Sequence, residues 1–409
     1  MKILKNITVF TMVMLLSVST VLEARDKNIS NFSSSSNLVD STGTFDGNKI
    51  YADVANNGLF LDYHVSGDSA LEWPKGTGVH SIFQSALWMG ATVNGSIRTI
   101  VGDYTQDMGP GPWGGDPLAA VHRIYKVEKS MLASPLDFAD FQEWPVEFGA
   151  PWVDVDGDGV YTPLPGGTDH PEFLGDQVLW FVSNDGDPAY KLNFGTSPMN
   201  VEIQTTMFGF DRPDVFGDMV FLKQLVINYG SDDLVDTYMG LWSDPDLGYA
   251  GDDFVGCDVD LGMGYVWNDG VDSQYGTLDI GTPAAGYDFF QGPMVPCEDG
   301  DSEAVCPAEG AKMFGTRHPG MKNLKMSSFA FYINGDATYT DPSDETEGYF
   351  YLQGLRKDGS AYPAEIAGDL YDQRFCFYGD PNDAAGHSTA NPVDGNYAAS
   401  ADRRFLMSV

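Results

Sequence analysis

From Lys49 onward, short apolar runs are cut again and again by Gly, Asn and Asp. Such punctuation suits strands of about 4–8 residues, whereas a helix needs roughly 10 or more residues of unbroken 3.6-residue periodicity. In the clearest case the apolar stretch Ser81 to Val93 meets Asn94 and Gly95, and Ser96 to Tyr104 then resumes the pattern. Asn-Gly tolerates positive φ at both central positions of a primed turn, so a tight hairpin is expected. Further strands are expected at Val121 to Val127, Gln177 to Ser183, Val201 to Phe208, Met219 to Asn228, Thr237 to Trp242 and Phe329 to Asn334.

Two segments carry helix signals. Ser134 and Pro135 supply an N-cap and a first helical residue for a helix running to about Glu143. Ser343 opens the second, with Asp344, Glu345 and Glu347 in its first turns and Arg356 and Lys357 in its last, an order that complements the helix dipole. With 47 Gly, 23 Pro and many short strands, the expected class is mainly β, as β-sandwich-like domains with two short isolated helices. No period of about 20–50 residues recurs, which excludes a propeller or solenoid.

The N-terminus has a different texture. Lys2 and Lys5 precede an apolar run from Ile7 to Leu22, and Ala24 offers a small cleavage residue, so residues 1–24 read as a secretory signal peptide. The rival reading is an uncleaved anchor, because the run approaches spanning length and Leu22 and Glu23 make an irregular cleavage site. Residues 25–45, with Ser33 to Ser36, read as a linker. Two β domains are expected after it, 46–175 and 176–409, secreted or at the cell surface with no membrane insertion after cleavage. Four cysteines, Cys257, Cys297, Cys306 and Cys376, fit an oxidising compartment. Chain entropy favours joining Cys297 to Cys306, with Cys257 and Cys376 pairing only if the fold brings them together. A zinc site has neither a CxxC pair nor a nearby histidine pair behind it.

Charge then restricts the partners. Against 59 Asp and Glu stand 22 Lys and Arg, a formal net charge of −37. Nucleic acids and anionic membrane surfaces are excluded, since both require an excess of cationic side chains. An extracellular glycan or surface protein remains as the partner class.

The most specific motif alternates Asp154, Asp156 and Asp158 with Val155 and Gly157, then continues through Gly159, Val160 and Tyr161. Alternate carboxylates converge on one point when Gly lets the loop turn sharply, which is the first half of a calcium loop with the Val160 carbonyl as backbone ligand. Pro165 stands where an EF-hand needs its bidentate Glu, so the closing carboxylate must come from elsewhere. Asp169 is the expected supplier, with Glu172 or Asp176 as substitutes; the bland alternative is a plain Asp/Gly turn. A second metal set is considered at Asp244, Asp246, Asp252, Asp253 and Asp258. Residues 224–311 hold 18 acids and no Lys or Arg, so these carboxylates need a cation, a distant Arg or full solvation.

Catalytic signatures are weaker. Glycoside hydrolysis needs two acids about 5–9.5 Å apart, and 59 acids among 8 Trp, 20 Tyr and 25 Phe supply such pairs by chance. No GxSxG elbow, HExxH or P-loop is present. Gly109 to Gly114 matches GxGxxG only formally, because Pro110 and Pro112 forbid the helix a dinucleotide loop requires. The histidines, His64, His80, His122, His170, His318 and His387, are scattered singly, though His170 adjoins Asp169. Trp88, Trp113, Trp144, Trp152, Trp180, Trp242 and Trp267 supply either core or a sugar-stacking platform.

Four stretches carry a family resemblance: LEWPKGTGVHSIFQSALWMGATVNGSIR (Leu71 to Arg98), WPVEFGAPWVDVDGDGVYTP (Trp144 to Pro163), GDQVLWFVSNDGD (Gly175 to Asp187) and GLWSDPDLGYAGDDFVGCD (Gly240 to Asp258). In these the chain resembles uncharacterised secreted proteins of bacteria that use type IX secretion. The resemblance implies export and a calcium loop, and assigns no catalytic activity. Members of that group are typically longer, with further β modules and a C-terminal sorting domain. Ending on the apolar stretch Arg403 to Val409, this chain is expected to be a fragment with an exposed end strand. The function expected is a calcium-stabilised extracellular β protein in surface structure, adhesion or ligand binding. The alternative is a polysaccharide-active enzyme or carbohydrate-binding module.

Overall fold

The computed structural model describes residues 8–19, 42–164, 169–268, 270–313, 315–381 and 400–409. Most of the expected linker, both ends of the expected signal peptide, Pro165 and His387 lie outside the described residues.

Fourteen strands build a two-layer sandwich. They are β1 (Thr8–Ser19), β2 (Gln84–Val93), β3 (Ser96–Ile100), β4 (Gly109–Pro110), β5 (Tyr125–Glu128), β6 (Gln177–Asn184), β7 (Val201–Gly209), β8 (Phe221–Asn228), β9 (Val235–Asp244), β10 (Asp253–Asp258), β11 (Met263–Asn268), β12 (Gly281–Gln291), β13 (Ser328–Ile333) and β14 (Arg403–Ser408). The larger sheet runs β10-β11-β12-β1-β8-β7-β6-β4, with β5 also on β6, and the smaller runs β13-β14-β9-β2-β3. All these ladders are antiparallel.

The Asn-Gly hairpin forms as its sequence requires: Val93 pairs with Ser96, and Asn94 and Gly95 take φ of 51° and 81°. On the neighbouring strands β2 and β9 Trp88 and Trp242 stack at 5.8 Å, on the face turned away from the larger sheet, and each indole is satisfied, Trp88 donating to the Gly102 carbonyl and Trp242 to the Tyr332 hydroxyl. Strand β6 is buried along its whole length because both its faces are covered. Leu179 and Phe181 enter the sandwich core, while Val178, Trp180 and Val182 join Tyr125, Phe141, Trp144 and Phe208 in a second core on the outer face. Each large side chain so buried contributes about 1.5–3 kcal/mol. This outer core carries the segment that holds the aspartate motif.

Several expectations are revised. Strands from both sides of the expected 175/176 boundary share each sheet, and one buried cluster runs from Phe45 to Val409. The apolar stretch expected as an exposed end is β14, paired on one side with β9 and on the other with β13. Strands β10, β11 and β12 escaped prediction because their apolar residues are interspersed with Gly and Asp. The first expected helix is broken, with a 3-10 turn at Pro135–Asp137, extended backbone at Phe138 and one α turn at Ala139–Gln142. The second is shorter than expected, Glu345–Leu352, capped by Asp344 rather than Ser343, and the chain leaves it at Gly354 with φ of 74°. Cys297 and Cys306 are joined, their Cα atoms 5.9 Å apart. Cys257 and Cys376 are both buried, and the Cys257 thiol donates to the Cys376 carbonyl at 3.4 Å.

Candidate metal centre

The aspartate motif leaves the outer core between two anchors. Trp152 packs edge-on against Tyr161 at 5.6 Å, and the Tyr161 hydroxyl donates to the Phe141 carbonyl at 2.6 Å. A two-residue ladder, Trp152–Val153 against His170–Pro171, closes the base. These contacts bring Asp169 back under a loop that begins fifteen positions earlier.

Within the loop, Gly157 and Gly159 both take φ of 77°, in the left-handed region that side chains disfavour, although a Cβ at either would meet no neighbour. Glycine is needed there for conformation and not for space. The carboxylates then organise the turn. Asp154 accepts from the N–H groups of Gly157 at 2.7 Å and Gly159 at 3.0 Å, Asp156 from Asp158 at 3.2 Å, and Asp158 from Val160 at 2.7 Å. Asp169, only 1% exposed, spans both arms: Oδ1 accepts from Val155 N–H at 2.9 Å and Oδ2 from Thr162 N–H at 2.7 Å. One oxygen from each of Asp154, Asp156, Asp158 and Asp169 lies within 4.8 Å of the others. A carboxylate oxygen has lone pairs left after accepting one bond. Four such groups present a hard, anionic oxygen set of the kind calcium prefers.

Of the expected closing ligands, Asp169 occupies the position. Glu172 instead faces Lys223 at 3.8 Å, and Asp176 accepts from Asp211 N–H at 3.0 Å. The Val160 carbonyl accepts from the Thr162 hydroxyl at 3.4 Å. His170 turns its Nδ1 to the Pro171 carbonyl and stacks on Phe173, away from the acids. Burial is the main reason that the Tyr161 phenol is held above its ordinary pKa, with the Asp169 charge adding to it.

The second expected set is rearranged. Asp244 and Asp246 come together with Asp402, which sequence spacing gave no reason to include, whereas Asp252, Asp253 and Asp258 are not in that group. Asp252 accepts from the Asn268 amide, Asp253 from Leu247 N–H, and Asp258 from Leu261 N–H in the β10–β11 turn. Arg404 supplies the positive charge missing from residues 224–311: it meets Asp244 at 3.1 Å and Asp402 at 2.6 Å, and Tyr104 donates to Asp244 at 2.8 Å. Burial alone would lower the Arg404 pKa, but Asp244 and its neighbours hold it above the ordinary value. Arg404 thus meets two of the three carboxylates and offsets their charge in part.

Among the tryptophans, Trp88, Trp144, Trp180 and Trp242 are core. Trp113 is 41% exposed and stacks on Tyr229, itself 46% exposed, with centroids 5.4 Å apart and planes 2° from parallel. The Trp113 loop is fixed by its own N–H on Glu202 at 2.8 Å and its indole N–H on Asn200 at 3.3 Å. Comparison with protein-family models, with curated proteins and with solved structures finds no match for the chain.

Proposed function

We propose that this chain is an exported, calcium-stabilised β-sandwich protein that acts in surface structure, adhesion or ligand binding, with type IX secretion as its route. The convergence of Asp154, Asp156, Asp158 and Asp169 is the observation that carries this reading. Calcium bound there neutralises carboxylates that otherwise crowd together in a chain of net charge −37. Extracellular calcium is millimolar, so even a site of modest affinity is filled outside the cell. A second reading, carbohydrate binding, is favoured by the exposed, parallel Trp113–Tyr229 pair. A glycan array probed with the exported chain, with and without chelator, tests both. Glycan binding that Trp113→Ala removes supports the second reading. Titration calorimetry that detects no calcium binding overturns the first.

A further inference from the structure

Strand β1 is the same segment that the sequence marks as the core of a signal peptide. Its twelve residues, TVFTMVMLLSVS, contain no charge and lie between β8 and β12, antiparallel to both. The register runs from Thr8 opposite Val226 to Val13 opposite Phe221 on one side, and from Thr11 opposite Gln291 to Ser19 opposite Gly281 on the other. Among the described residues, β8 pairs otherwise only with β7, and β12 only with β11. Removing residues 1–24 therefore leaves two facing edges one strand-width apart, roughly 9–10 Å.

The two edges are held separately. On the β12 side, the Tyr287 hydroxyl bonds Ser85 and Ser243 of the smaller sheet, and Gly264 of β11 lies close against Phe329 and Phe405. Near the start of β7, Arg98 of β3 donates to the Pro198 carbonyl at 2.6 Å, and Asn193 donates to the Val101 carbonyl at 2.9 Å. Each half of the larger sheet is thus pinned to the smaller sheet by its own contacts. Both edges also carry apolar side chains, Leu222 and Val226 on β8 and Ala285, Tyr287 and Phe289 on β12.

We propose that the exported chain has a strand-acceptor slot between β8 and β12, and that it takes an uncharged apolar β-strand from another polypeptide, antiparallel to both edges. The backbone supplies hydrogen bonds on two sides, and the apolar flanks select a partner strand without charges. This rests on the reading that the leader is cleaved, so the first measurement concerns cleavage. The full-length precursor is exported from a secreting host, and the N-terminus of the product is read by mass spectrometry. A product beginning near Arg25 has lost β1, whereas retained Met1 refutes cleavage and with it the open slot.

Hydrogen exchange on the cleaved product then tests the slot, using as probe the peptide TVFTMVMLLSVS with a lysine tail for solubility. The expected result is fast exchange, without peptide, of those amides in 221–228 and 281–291 that do not bond β7 or β11, and at least tenfold slower exchange of the same amides with it. Exchange in 201–209 should be unchanged. A peptide carrying Met12→Pro and Met14→Pro should give no protection, because proline removes ladder donors. Protection of those same amides in both segments before peptide is added means that the edges close on each other and overturns the proposal. Protection of one segment alone shows simple edge addition and overturns it as well.

Discussion

Asp169→Asn and Asp156→Ala separate the two tasks of the aspartate loop. Asp169 is buried and receives two N–H donors, one on each oxygen. Asparagine turns one oxygen into a donor that faces another donor, so one bond to a charged acceptor is lost, about 1.5–3 kcal/mol. That loss is present with chelator. In calcium a further part disappears: a site near 10⁻⁴ M in millimolar calcium gains only about 1.4 kcal/mol by mass action. Asp156 is exposed and bonds Asp158 N–H at 3.2 Å. Asp156→Ala should therefore stay within about 0.5 kcal/mol of the parent in chelator, yet lose the same ~1.4 kcal/mol in calcium. At an unfolding entropy near 2 cal/mol/K per residue, 1.4 kcal/mol shifts Tm by only about 2 °C in a chain of this size. Urea unfolding with and without chelator, supported by calcium calorimetry, is the suitable assay. Asp299→Ala, in the disulfide loop, is the control and should alter neither condition. The reasoning is refuted if Asp169→Asn matches the parent in chelator, or if Asp156→Ala keeps the full calcium increment.

Arg404→Ala should destabilise by about 3–5 kcal/mol, because it strips a buried carboxylate of its guanidinium; adding Asp244→Asn should recover part of this in urea unfolding, and an additive double variant refutes the coupling. Asp252 and Asp288 are each pushed up to about 6, chiefly by burial and then by Asp272 and Asp258 respectively. Both bind protons more tightly folded than unfolded, so their stabilising share is complete below about pH 4 and lost as pH rises through 6. In chelator, the urea midpoint should fall between pH 4 and 7, and Asp252→Asn should flatten that fall; an unchanged slope refutes it. Burial holds the thiols of Cys257 and Cys376 well above their ordinary pKa. Iodoacetamide should leave both unlabelled in the folded chain and label both after denaturation without reductant, as read by peptide mapping, whereas Cys297 and Cys306 stay linked.

What the sequence disclosed is what local chemistry decides. Asn94 and Gly95 dictate their turn by backbone preference alone, and the alternation at Asp154 to Gly159 forms its loop through bonds that span five residues or fewer. Asp169 was within reach of the same reasoning because the loop must close on a nearby acid. Arg404 was not, since it meets Asp244 across 160 positions, and only sheet order brings β14 beside β9. The strands β10 to β12 were hidden for a different reason: Gly and Asp interrupt their apolar runs, and Asp253 and Asp258 are accommodated by the nearby N–H groups of Leu247 and Leu261. Thr8 to Ser19 marks another limit, since an uncharged apolar segment satisfies the requirements of a leader and of a central strand equally.

The position of β14 also sets a timetable. It lies between β9 and β13 and carries the only ladder that joins β13 to the rest of its sheet among the described residues. Residues 403–408 leave the ribosome roughly 15–60 s after residues 84–93, at ordinary elongation rates. From their own emergence until then, one flank of Val235–Asp244 and one of Ser328–Ile333 are open edges, so the smaller sheet is completed last between β13 and β9. Until the closing strand arrives, those two edges are the places where pairing with another chain competes with folding.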